Sequence, residues 1–159
     1  MALATTDVQG VKIYIAADGT DVSTAGAVTT AIAGADQIGC VQSIGEIAST
    51  KNVQTYSCLS SDEISKSIGS LQLGNTQISL LFDTADAAGQ AALRTMYETN
   101  ARKVFIIELN DNAGATATTI TFNGAISGQA IPLEKDAAVL INSTIEFTSN
   151  YDIIDATAV

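Results

Sequence analysis

The run KVFIIEL, residues 103–109, is apolar on both sides of an extended chain, with Phe105 and Ile107 on one side and Val104 and Ile106 on the other. Side chains alternate across a strand, so such a run has to lie centrally, with cover on each face. The longest strongly apolar stretch is VFIIEL at 104–109, far short of the roughly 20 residues a membrane-spanning helix needs. The other segments read mostly as strands placed around it. VKIYIAA (11–17) alternates at Val11, Ile13 and Ile15 and stops at Asp18-Gly19, a turn signal. QISLLF (77–82) is a further strand, and VLINSTIEFTS (139–149) sets Ile141, Ile145 and Phe147 against Asn142, Thr144, Glu146 and Thr148. TATTITF (116–122) and AISGQAI (125–131) flank Asn123-Gly124, a pair that favours a type I′ hairpin turn because both residues tolerate positive φ. Pro132 ends that strand.

Two stretches resist this pattern. DQIGCVQSIGEI (36–47) and NVQTYSC (52–58) flank ASTK and are expected to pair as a hairpin, yet neither face is cleanly apolar. Ile38, Cys40 and Ile44 share one side with Gln42 and Glu46, while Val41 and Ile47 take the other. A turn near Ser49 sets Cys40 and Cys58 opposite each other, with two free thiols favoured over a disulfide. Residues 20–35, TDVSTAGAVTTAIAGA, have neither period and read as a loop. Residues 59–76 read as a long, serine-rich loop with spaced Ile64, Ile68, Leu71 and Leu73. Loops beyond about 12–15 residues in compact domains are usually functional or disordered.

One helix is expected, over about residues 84–99, following LLFDTADAAGQAALRTMYE (80–98). Asp83 serves as its N-cap, and Asp86 adds charge to the first turn. Leu93, Met96 and Tyr97, with Ala85, Ala88, Gly89 and Ala92, form an apolar stripe for packing over a sheet, and Gln90, Arg94 and Glu98 lie off it. A phosphate cradle would place glycines and a lysine at this joint. The aspartates found there repel an anion.

Charge and chemistry narrow the function. The net charge is −10 and the isoelectric point about 4.1, which opposes tight binding to nucleic acid. Charged residues make up 15% and mean hydropathy is +0.27; about 25% is usual, so part of the surface is expected to be covered by partners. There is no histidine, which removes Ser–His and Cys–His catalysis and the commonest metal ligand. Asp62-Glu63 reads as solvated charge. Asn110, Asp111 and Asn112 lack the spaced glycine and terminal glutamate of a calcium loop. No enzyme, cofactor or metal is expected. The opening MALATTDVQG has no basic region and is interrupted by Asp7, so no secretory leader is expected.

The order of segments then becomes the guide: IGEIASTKNVQTYSC, SIGSLQLGNTQISLLFD, TADAAGQAALRTMYE and KVFIIEL. Over roughly residues 36–149 this resembles the tail tube proteins of long-tailed bacteriophages, the group that includes the lambda tail tube protein. The resemblance implies a mainly β fold, an antiparallel sandwich or barrel flanked by one helix, in a single domain over 1–159. Segments 1–10, 20–35, 59–76 and 150–159 would be flexible or ordered by assembly. It further implies a homo-oligomer of hexameric rings stacked into a tube, with an acidic lumen that conducts DNA. Tail tip, tape-measure and terminator proteins would be its partners, in a virion tail assembled in the host cytoplasm, with no membrane anchor. On this reading Ile64, Ile68, Leu71 and Leu73 pack on a neighbouring subunit or ring, and Gln42, Glu46 and Gln54 face the lumen. The alternatives are a fimbrial or surface-fibre subunit and the inner tube of a contractile tail or secretion machine.

Overall fold

A computed structural model describes residues 10–57, 59, 64–111 and 116–156. In chain order the elements are β1 (Lys12–Ala16), α1 (Ala25–Ala33), β2 (Asp36–Ile38), β3 (Val41–Ile44), β4 (Ser49–Ser57) and β5 (Ile64–Leu73). They continue as β6 (Asn75–Leu81), α2 (Gly89–Thr99), β7 (Lys103–Glu108), β8 (Thr119–Ala130), β9 (Leu140–Phe147) and β10 (Asp152–Ile154). One antiparallel sheet runs β2-β1-β7-β8-β9-β6-β3, with β10 also paired to β8. Among the described residues β4 and β5 pair only with each other. The fold is mainly β, with antiparallel sheets and two helices.

The doubly apolar run is β7, paired to β1 on one side and β8 on the other, with Val104 to Ile107 all buried. Its two faces serve two cores. Phe105 and Ile107 join Ile13, Ile15, Ile78, Leu80, Phe122, Ile141 and Ile145 under α2, so strands from both ends of the curled sheet meet in one core. Val104 and Ile106 join Tyr14 and Ala16 on the reverse face, where α1 lays Val28 and Ala31 over them. Each large aliphatic side chain buried in this way contributes about 1.5–3 kcal/mol.

That second layer corrects the reading of 20–35 as a loop. The Thr24 hydroxyl accepts the Ala27 N–H at 3.2 Å and caps α1. Its buried side is Val28 and Ala31, with Ile32 packed beside them, while the exposed side is Gly26, Thr29, Thr30 and Ala33, so the two sides contrast too weakly to show a strong apolar stripe. Asn123-Gly124 is likewise not a turn but the middle of the 12-residue strand β8. A Cβ at Gly124 would stand 2.6 Å from Ile145 Cγ2 and 3.4 Å from Phe105 Cδ2, so this glycine leaves space for its neighbours. Phe105 stacks on Phe122 at 5.4 Å, and Phe122 tilts against Phe147 at 4.6 Å.

The expected hairpin between 36–47 and 52–58 does not form. β2 pairs with β1, β3 pairs with β6, and β4 pairs with β5, which lies within the expected loop at 59–76. A one-residue bulge explains the mixed faces: Val41 opposes Leu80 and Ser43 opposes Ser79, leaving Gln42 as the extra residue. The bulge brings Val41 and Ile44 to the same side, against the core. Cys40 is exposed, while Cys58 lies outside the described residues.

Candidate assembly surface

The ribbon of β4 and β5 grows from the sheet at a tight crossing. A Cβ at Gly74 would sit 2.2 Å from the Ala48 carbonyl oxygen, a distance only glycine permits. The Gly74 carbonyl accepts the Phe147 N–H at 3.1 Å, and the Gly45 N–H donates to Gln77 O at 2.7 Å. Ser49 Oγ donates to Asn150 Oδ1 at 3.1 Å, and Asn75 Nδ2 donates to Glu146 Oε1 at 3.3 Å. The root is thus tied to β6 and β9.

Beyond the root the ribbon has two unlike faces. Opposed residues in an antiparallel pair lie on one side. Lys51 opposes Leu71, and Val53 opposes Ile68, so Gly69 and Ser70 together face Asn52. This two-for-one step keeps Ile64, Ile68, Leu71 and Leu73 on one side despite their uneven spacing, together with Val53 and the lysines 51 and 66. The aliphatic side chains are well exposed: Ile64 is 65% accessible, Ile68 69%, Leu71 41%, Leu73 40% and Val53 53%. On the other side lie Thr50, Gln54, Tyr56, Ser65, Ser67 and Gln72, none charged. Tyr56 Oη donates to Gln54 Oε1. An isolated two-stranded ribbon is marginally stable in water, and an apolar side at such exposure marks an interaction surface.

The structure separates the sequence candidates. Ile64, Ile68, Leu71 and Leu73 share a face, and Gln54 sits on the reverse of the same ribbon. Gln42 protrudes from the β3 bulge at the sheet edge, and Glu46 is exposed between β3 and β4. Leu93 and Met96 are each 1% exposed beneath α2. Tyr97 is 45% exposed, because one helical step past Met96 turns it off the buried side. Gln90 is 1% exposed, which corrects its placement off the stripe.

The strand-to-helix joint holds a polar clamp. The helix begins at Gly89 rather than at 84, and Asp83 accepts the local Ala85 N–H at 2.8 Å instead of a helix N–H. Asp86 performs the capping: its carboxylate accepts the N–H groups of Ala88, Gly89 and Gln90, and that of Gly39 at 3.1 Å. Burial pushes the Asp86 carboxyl up, but these four donors outweigh it and hold it below the usual carboxylate value. Gln90 Nε2 donates to Leu81 O at 2.8 Å, and its Oε1 accepts the Asp83 N–H at 3.1 Å. The amides at the start of α2 are therefore satisfied from within, and Asp86 fills the place of an anion. Sequence reasoning missed Gln90 because a buried amide looks like any surface glutamine until its partners are known.

Chemistry elsewhere is sparse. Among the described residues no three His, Cys, Asp or Glu side chains gather to hold a metal. The Asp111 carboxylate accepts the Thr118 N–H at 2.9 Å, closing a turn, while Asn112, Asp62 and Glu63 lie outside the described residues. Glu108 pairs with Lys12 at 3.7 Å. No described helix is long and apolar enough to cross a membrane.

No family model matches the chain, and no curated protein matches it. Solved structures do. A chain of the SPP1 tail tube aligns over 98% of this chain and 81% of its own length, with a TM-score of 0.66 and 13% identity. A chain from the sheath-tube complex of an extracellular contractile injection system, PVC, aligns over 99% and 95%, at 0.69 and 13%. A chain from the six-fold symmetrised baseplate of the anti-feeding prophage aligns over 99% of both, at 0.70 and 7%. At these identities the likeness is one of fold.

Proposed function

We propose that this chain is a structural subunit of a tail tube, forming hexameric rings that stack into a hollow conduit for DNA. The observation that carries the reading is the β4–β5 ribbon, an amphipathic strand pair whose apolar side the described body leaves uncovered. Pairing such ribbons around a ring closes their edges, and assembly brings a neighbouring copy to cover the apolar side. The likeness of fold to a tail tube chain supports the same reading. With −10 per subunit, six subunits carry about −60 per ring, which opposes adhesion of the passing polyanion. Tail tip, tape-measure and terminator proteins are its proposed partners, in the tail of a virion, and membership of the lambda-type group rests on segment order. The subunit's work is mechanical, with no catalytic step.

A second reading, the inner tube of a contractile machine, draws on TM-scores of 0.69 and 0.70 to chains of such assemblies. Co-purification with a sheath protein separates the two. The test of the shared proposal is sedimentation of the purified chain at rising concentration, with negative-stain images of the heavy fractions. Rings or hollow tubes are expected. A folded monomer at every concentration, with tail-initiation partners added, refutes it.

A further inference from the structure

Exposed aliphatic side chains are concentrated in two places. One is the ribbon. The other is the segment 131–139 between β8 and β9, where Ile131 is 50% exposed, Leu133 78% and Val139 37%. These places lie at opposite ends of the same two strands. Asn75 opposes Glu146 beside the ribbon root, and Leu81 opposes Leu140 beside the 131–139 segment. Their charges are also unlike. The described residues of the ribbon carry Lys51 and Lys66 and no acid, both lysines on the aliphatic side. Segment 131–139 carries Glu134 and Asp136 around the single Lys135, all exposed.

We infer that the aliphatic, lysine-bearing side of the ribbon docks on the 131–139 segment of a second copy of this chain. Aliphatic groups meet aliphatic groups. Lys51 and Lys66, about 13 Å apart along the strand at 3.3 Å per residue, lean toward each other on their long flexible stems. They thereby meet Glu134 and Asp136, which are two residues or at most about 7 Å apart. The patches occupy different ends of the body, so the contact is heterologous. Each copy offers one patch and receives the other, and the contact propagates into a ring or an open filament instead of stopping at a dimer. The inference deepens the tube reading and rests on it, since it names the side chains that join neighbours. It also leaves the uncharged Gln54 side of the ribbon free, so the surface turned away from the contact is one of hydroxyls and amides.

The experiment compares the polymerisation threshold of the wild-type chain with Lys51→Gln/Lys66→Gln, Glu134→Gln/Asp136→Asn, and Lys135→Gln as a charge-changing control. Zero-length carbodiimide cross-linking of the polymer locates the paired residues. Thresholds about tenfold higher are expected for the first two variants, with no such rise for the control. Intermolecular cross-links from Lys51 or Lys66 to Glu134 or Asp136 should appear in polymer and be missing from monomer. Combining Lys51→Glu/Lys66→Glu with Glu134→Lys/Asp136→Lys should restore assembly that either pair alone abolishes. Wild-type thresholds in both neutralised variants, or cross-links only to other carboxylates, overturn the contact and leave the tube reading standing. A wild-type chain that never polymerises removes both.

Discussion

At Asp86 one carboxylate gathers four backbone N–H groups and ties the start of α2 to the loop after β2. Its carboxyl is held below the ordinary value, so the charged form favours the folded state. That contribution is present above the unfolded value of about 3.9 and is lost as pH falls through the lower folded value. Asp86→Ala should therefore cost about 0.5–2 kcal/mol near neutrality, as lost caps do. Urea midpoints taken from pH 7 downward should converge on the wild type below about pH 4; a constant gap at every pH refutes the charge role. Under the same helix, Leu93→Ala should cost about 2–5 kcal/mol. The adjacent, exposed Arg94→Ala should stay within about 0.5 kcal/mol, and equal shifts in a urea melt would contradict the buried side. Gly124 is the third sensitive position. Gly124→Ala drives a methyl into Ile145 and should cost about 1–3 kcal/mol by overpacking, seen as an earlier unfolding midpoint.

Elements show where the sequence was legible and where it was not. Strands with unbroken alternation, β1 and β9, and the doubly apolar β7 could be read directly, because burial on known faces imposes period two. The bulged strands could not. Val41 to Ile44 and Ile68 to Leu71 are spaced by three, which breaks the alternation, and β5 consequently reads as a loop. A triplet gap between aliphatics in an otherwise extended run is the trace a bulge leaves. The weakly polar exposed side of α1 gave its Val28, Ala31 and Ile32 too little contrast to reveal a helical period, and Asn123-Gly124 misled because tertiary packing outweighed its turn preference. The ribbon root is the element most exposed to a single change. Gly74→Ala places a methyl on the Ala48 carbonyl, so the strands must part at the crossing. Hydrogen exchange should show faster amides in β4 and β5 with β7 and β9 unchanged, and uniform loosening of all four strands would show that the root belongs to the core instead.

For the whole molecule, the candidate surface was half legible. The spaced aliphatics of 59–76 were visible in the sequence, but their shared side and the position of Gln54 behind them depend on pairing with β4. The extra residue at Gly69–Ser70 has a further meaning. Without it the strand would alternate regularly and still present Ile64, Ile68, Leu71 and Leu73 together, since removing one residue turns the gap of three into a gap of two. What the added residue supplies is bend, because a bulge sharpens the local twist of a strand pair. Deleting Ser70 therefore separates shape from chemistry: the contacts remain and the curvature goes. If rings of the shortened chain close with a different number of copies, or open into flat ribbons under the electron microscope, the circumference of the assembly is set at one point on β5. If they close as before, then on the proposed tube reading the body of the chain fixes the diameter and the ribbon follows it.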